Sequence, residues 1–150
     1  MGGIEMKKGM ALLAALVLLF SCALADQTVE LPGGRRFLTL PDAMTPVSLK
    51  PGDDALMAYL SPTLEMDVFS FANETDKSIH DVADWIVSEG YEAQIQRIGG
   101  IDMVVFQQTD ETASCIGYNF LDGDQVLQIV FWYADQAAAD QAGTIMAGIW

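Results

Sequence analysis

Between residues 113 and 133 the apolar positions recur every second residue, the period of an extended strand. Ile116, Tyr118 and Phe120 fall on one side of the first run, with Cys115, Gly117 and Asn119 on the other. After Leu121-Asp122-Gly123-Asp124, a second run sets Leu127, Ile129, Phe131 and Tyr133 against Val126, Gln128, Val130 and Trp132. Gly123 supplies the positive φ that a tight hairpin needs, and the flanking aspartates keep the tip in water. Because positions 130–133 are apolar in both phases, the second strand is predicted inside a sheet that is covered on both faces, at least at that end.

The same reading extends outward from this hairpin. Strands are predicted at 35–40, 55–60 and 64–72, with Pro32-Gly33-Gly34 as a turn and Pro41, Pro46 and Pro51 too closely spaced for any helix between them. In 64–72, Leu64, Met66 and Val68 alternate with Glu65 and Asp67 before Phe69 and Phe71 take the other phase, which predicts a bulge or a change of covered face. A further hairpin is predicted from 91–98 and 101–108 about Gly99-Gly100; Tyr91, Ala93 and Ile95 alternate with Glu92, Gln94 and Gln96, as in a strand near the sheet edge.

Two segments carry helical spacing instead. From Ser78, whose hydroxyl is placed to cap and which has Asp81 three residues on, Ile79, Val82, Ala83, Ile86 and Val87 form one stripe that ends at Gly90. From Asp135 to Trp150, Ala138, Ala142, Ile145, Met146 and Ile149 form another. Strands, helix, four strands, helix is the order of an α+β domain: an antiparallel sheet of about six or seven strands with two helices. Phe131 and Val130 face opposite ways and each needs a cover. The two helices are therefore expected on opposite faces, as an α/β/α sandwich with Phe131 and Trp132 both buried and no catalytic cleft between the layers.

The first 25 residues belong to a different kind of segment. Lys7 and Lys8, the apolar run 10–20 and Ala23-Leu24-Ala25 have the layout of a secretory signal peptide, cut after Ala25. The run is shorter than the about 20 apolar residues of a membrane span. A second reading takes Leu19-Phe20-Ser21-Cys22 as a lipoprotein box with Cys22 acylated, although Phe20 is bulky for that position. The expected division is a signal peptide at 1–25 and one α+β domain at 26–150, secreted or extracytoplasmic, or else lipid-anchored at the cell surface.

Charge narrows the partners. The chain carries −14 formally, and removal of Glu5, Lys7 and Lys8 with the leader leaves 20 acidic and 5 basic residues, or −15. Such a surface repels nucleic acid and anionic membranes, and no basic cluster exceeds Arg35-Arg36. No nucleic acid partner is expected, and membrane association only through lipid on Cys22. Cys115 is the one cysteine beyond the leader, so the domain is expected to hold without an internal disulfide and to bury this thiol as a small core residue.

Little in the sequence announces chemistry. One histidine, His80, and Cys115 are the whole stock for a thiol-imidazole pair, and they fall on a helix's polar face and in a covered strand. Asp122 and Asp124 at a hairpin tip are the weak candidates for a metal, without the additional oxygen ligands at fixed offsets that mark a calcium loop. No catalytic residue and no cofactor is assigned. The functional expectation is an exported acidic single-domain protein, a non-catalytic binding or accessory module of the bacterial cell envelope or extracellular space, whose partner is a protein or an envelope component. The alternative is a small hydrolase using carboxylates or a Cys115/His80 pair, against which stands the scarcity of loop material for a deep pocket.

The element order, with Phe37-Leu38-Thr39-Leu40-Pro41 early and Ser61-Pro62 between strands, resembles the Mog1/PsbP-like fold, including small exported bacterial proteins of the DcrB type. The resemblance spans most of 35–150. It implies an α/β/α sandwich on an antiparallel sheet and no particular activity. The closing segment, Cys115-Ile116-Gly117-Tyr118 through Phe131-Trp132-Tyr133-Ala134, is also similar to small secreted proteins of unknown function from anaerobic Gram-positive bacteria.

Overall fold

The computed structural model describes residues 26–111 and 113–150. Residues 1–25, where the expected signal peptide with Cys22 and Ala25 falls, lie outside the described residues. In chain order the elements are β1 (Asp26–Glu30), β2 (Phe37–Pro41), β3 (Thr45–Pro46), β4 (Met57–Leu60), β5 (Leu64–Ala72), α1 (Ile79–Ser88), β6 (Ala93–Ile98), β7 (Ile101–Thr109), β8 (Ser114–Asp122), β9 (Gln125–Tyr133) and α2 (Gln136–Ala147). Strands β3 to β9 form one antiparallel sheet of seven in the order β3-β4-β5-β9-β8-β7-β6, while β1 and β2 pair with each other alone. The α+β class and the two helices are as the sequence indicates.

The hairpin of β8 and β9 turns at Gly123, which takes φ +65°, and β9 pairs with β5 along its whole length and with β8 from Gln125 to Trp132. Its double-sided apolar character thus has a structural reason: two covering layers meet on it. On one face, Leu127, Ile129 and Phe131 join Leu64, Met66, Val68, Tyr118 and Phe120 beneath α2 and the β1–β2 hairpin. Many of these side chains are fully buried, each contributing about 1.5–3 kcal/mol by leaving water. On the other face, Val126 and Val130 join Val104, Phe106 and Cys115 beneath Val82 and Ile86 of α1. The helices therefore lie on opposite sides and the molecule is a three-layer sandwich.

The layers differ in completeness. Besides α2, the first face receives the β1–β2 hairpin, braced internally by Gln27 and fastened to the rest of the molecule at two places. Phe37 and Trp150 exchange backbone hydrogen bonds of 2.7 and 3.1 Å and stack their rings with centroids 4.8 Å apart. Gln27 donates through Nε2 to the carbonyls of Pro41 and Met44. Arg35 donates to the Asp122 carboxylate and, at 3.0 Å, to its backbone carbonyl, while Gln125 Nε2 donates to Pro32 O at 2.7 Å.

Among the described residues the second face has only α1, ten residues long. Its start is a reciprocal capping box: the Ser78 hydroxyl accepts from the Asp81 amide at 3.2 Å and the Asp81 carboxylate accepts from the Ser78 amide at 2.8 Å. The Ser78 amide and, at 3.0 Å, the Ser78 hydroxyl both donate to the Asp81 carboxylate and hold it below the usual aspartate range. The helix lies over β6, β7 and β8 and leaves the β4–β5–β9 part of the face without a helical cover.

Two expectations need correction here. Trp132 is not buried: it is 39% exposed, because α1 does not reach its end of β9, whereas its neighbour Phe131 on the other face is fully buried. The layers also leave a groove, which the small size of the domain argued against.

Candidate functional site: an aromatic groove beside α1

One row of residues runs straight across the sheet on the α1 side. Asp67 of β5 pairs with Val130 of β9, Val130 with Gly117 of β8, Gly117 with Phe106 of β7 and Phe106 with Ala93 of β6. Directly opposed residues share a face, so this row sets the floor. Gly117 is what lets it form. A Cβ at that position would lie 2.1 Å from Phe106 Cε1, so the ring occupies the space that any other residue would fill. Tyr91 then packs on Phe106 with centroids 4.6 Å apart.

Above this floor lies a groove of about 370 Å³, a volume within the range of small-molecule sites. Phe69 and Phe71 come from β5, Trp85, Ile86 and Glu89 from α1 and its end, Tyr91 from the following turn, and Trp132 from β9. The Phe71 and Trp85 rings meet edge to face at 5.3 Å, closing one wall across the gap between sheet and helix. Cys115, Gln128 and Val130 line the bottom.

The polar groups are few. Gln128 donates through Nε2 to Asn119 Oδ1 at 2.8 Å, and Asn119 donates to the Val104 carbonyl at 3.2 Å, which fixes both amides. The Gln128 carbonyl oxygen accepts nothing among the described residues. Asp67 is half-buried among aromatic rings, and its carboxyl is pushed up to about 6, first by burial and then by the negative charge of Glu65. Hydrogen bonding from Trp132 works in the opposite sense. Glu89 sits at the exposed rim.

The residues singled out by the sequence are dispersed. His80 is exposed on the first turn of α1, and no histidine lines the groove among the described residues. Cys115 is buried in the groove floor, where loss of water raises its thiol pKa and keeps it a thiol. Asp122 lies on the opposite face of the sheet, 5% exposed, with Arg35 Nε 3.3 Å from its Oδ1 and 3.8 Å separating Arg35 Nη2 from Asp124. A guanidinium already holds the position that a cation would take. Among the described residues no cluster of three metal-binding side chains occurs.

Asp67 and the aromatic walls were not singled out. Glu65 and Asp67 alternate with Leu64, Met66 and Val68, which reads as a wet face. The available signal was Gly117, a glycine in mid-strand, which marks a place where another group comes close.

No protein-family model and no curated protein matches the sequence. Solved structures do. The fold is similar to that of the cyanobacterial PsbP (CyanoP) of Synechocystis sp. PCC 6803, with a TM-score of 0.65 at 10% identity over 84% of this chain and 92% of that one. A structure from Bacteroides thetaiotaomicron VPI-5482 is similar with a TM-score of 0.61 at 15% identity; the match covers 83% of this chain and 47% of that one. The Ran-binding protein Mog1p of Saccharomyces cerevisiae matches with a TM-score of 0.47 at 18% identity, over 80% of this chain and 83% of that one. The chain thus has a PsbP-like fold.

Proposed function

We propose that the protein is an exported, acidic, single-domain module that binds rather than transforms, acting in the bacterial cell envelope or extracellular space through the groove beside α1. The observation that carries this reading is the unequal cover of the sheet. One face is closed by a helix and a hairpin, and the other keeps an aromatic groove bordered by exposed Phe71 and Trp132, with Leu56 and Leu60 exposed on β4's side of the same face. Exposed apolar surface of this kind persists in a soluble domain when something covers it in use. The lining is mainly aromatic and aliphatic with two carboxylates at different depths, Asp67 low and Glu89 at the rim, and lacks an imidazole among the described residues. That composition suits holding a ligand more than activating a nucleophile. The signal-peptide pattern ending at Ala25 supports export, and the acidic surface supports a soluble life outside the cytoplasm, with membrane attachment only through Cys22.

Chemical-shift mapping of a small-molecule fragment set tests the site. Perturbations are expected to gather on Trp85, Trp132 and Phe71; perturbations gathered on the β1–β2 hairpin or scattered over the surface would overturn it. Intact-mass measurement on protein from its native host tests export: the expected chain begins at Asp26, and a diacylglyceryl adduct on Cys22 would establish the lipid-anchored form instead.

A further inference from the structure

We propose that the groove selects an organic cation, an amine or quaternary ammonium group carried on an apolar body about the size of an aromatic ring, with the cationic head beside Asp67 and Trp132 and the body along Phe69 toward Trp85. This inference rests on the groove being the binding site and adds the chemistry of its occupant.

Three features of the groove converge on that class. The first is the sign of its charges. Asp67 and Glu89 are the charged side chains of the lining, Glu65 lies beside Asp67 on β5, and Asp53 in the loop before β4 adds its field; no lysine or arginine lines the groove among the described residues. An anionic ligand would meet repulsion from every side. The second is the hydrogen-bonding inventory. Around Asp67 the Gln128 carbonyl and the carboxylate offer acceptors, while the donors of the lining, the Trp85 indole and the Tyr91 hydroxyl, come from α1 and the turn after it, so a ligand head placed at Asp67 brings donors or positive charge. The third is the walls. Aromatic faces attract a cation through their quadrupole, and the attraction grows where water is excluded, as at the bottom of this groove. A neutral apolar ligand would fill the walls and leave Asp67 covered without an opposite charge, which costs more than leaving it in water. A cation answers both. The excess of acidic over basic residues across the chain steers the same class of ligand toward the surface.

The pH dependence follows from the groups around Asp67. Glu65 on the same strand, Asp53 from the preceding loop, Glu89 from the end of α1, Tyr91 from the turn and Cys115 from β8 are the titratable groups packed around this end of the groove. All of them disfavour its charge or leave it unchanged, and a bound cation reverses that. Affinity for the cation is therefore high when Asp67 is ionised and falls as the pH drops through about 6.

Benzyltrimethylammonium is the probe, compared with neutral benzyl alcohol and anionic phenylacetate, by titration of the full mature chain with the indole N–H signals of Trp85 and Trp132 as readout. At pH 7.5 the cation is expected to bind about tenfold more tightly than the alcohol, with phenylacetate weakest. Asp67→Asn should remove most of that preference, and lowering the pH to 5 should do the same to the unaltered protein. Glu89→Gln, at the exposed rim where folding is not at stake, should weaken the cation about twofold. Equal binding of alcohol and cation, or a preference that survives Asp67→Asn, would overturn the cation assignment and leave the groove as a site for neutral ligands. Failure of all three probes to move either indole would overturn the groove itself.

Discussion

The two faces of this sheet are built from neighbouring residues of the same strands, yet they do different things. On β9, Phe131 looks toward α2 and is fully buried; Trp132, one residue on, looks toward α1 and stands 39% exposed. The α2 face has two covering elements, a helix and a hairpin, joined to each other by Phe37–Trp150, with the hairpin tied to the sheet by Arg35 on Asp122. The α1 face has one helix of ten residues, and beyond its reach the strands carry aromatic rings around a carboxylate. Stability is concentrated where the cover is complete, and recognition becomes possible where it stops.

The largest expected effect tests that division within a single dipeptide. Phe131→Ala removes a fully buried ring that also meets Tyr118 edge to face, and should cost about 3 to 5 kcal/mol in urea denaturation. Trp132→Ala should cost about 1 kcal/mol, since much of its ring is already in water, while abolishing ligand effects in the groove. Equal costs for the two would mean that the faces are equally sealed in solution.

How much of this the sequence disclosed follows from what periodicity measures. Alternation at 115–120 and 126–133 correctly places Phe131 and Val130 on opposite faces, and the helical stripes of Val82 and Ile86 and of Ala142 and Ile145 supply a cover for each. Periodicity reports which way a side chain points. It does not report how far a neighbouring helix extends, and so Trp132, apolar and correctly oriented, was expected to be covered. Nor does it report which strands pair: β2, predicted as a strand at 35–40, pairs with β1, which the pattern does not single out, and the two stand apart from the main sheet. Asp67 was hidden for a related reason, because its surroundings come from strand register with Val130 and Gly117 and from the end of α1, none of them local to it.

A second contrast uses two glycines. Gly117→Ala puts a methyl into the Phe106 ring and should cost about 2 to 3 kcal/mol, while displacing the ring and with it the Tyr91 wall of the groove. Gly143, in α2, has nothing within 4 Å of where its Cβ would be, and Gly143→Ala should stabilise by about 0.5 to 1 kcal/mol through helix propensity alone. A mild Gly117→Ala variant would show that the floor of the groove is loose rather than built.

The hairpin latch is smaller again. Arg35 is half exposed, but Asp122 is buried and takes hydrogen bonds from both Arg35 and Gln125, so Arg35→Ala leaves its carboxylate with less compensation. The expected cost is about 1 to 2 kcal/mol, together with faster amide exchange in β1 and β2. Loss of stability without any change in exchange there would place the role of Arg35 elsewhere than in holding the hairpin.

The smallest effect has the opposite sign. Asp67 titrates at about 6 in the folded protein against 3.8 for an ordinary aspartate, so folding binds a proton to it between those values. Well below pH 3.8 the carboxyl is neutral in both states and contributes nothing to the balance. As the pH rises from 4 to 6 the unfolded chain ionises first, and stability falls; above 6 the full penalty of a charged carboxylate among aromatic rings is in place. Asp67→Asn removes that penalty and keeps an oxygen for the Trp132 indole. With solvent screening at a half-buried group, the variant should gain about 1 kcal/mol at pH 7.5 and close to nothing at about pH 2.5. Denaturation curves at the two pH values read the difference directly. A variant less stable at pH 7.5 would mean that Asp67 holds the α1 face together as a structural group, and the groove would then belong with the sealed side of the molecule. A variant that is more stable and binds less is the signature of a residue kept at a cost to folding for the sake of what it binds.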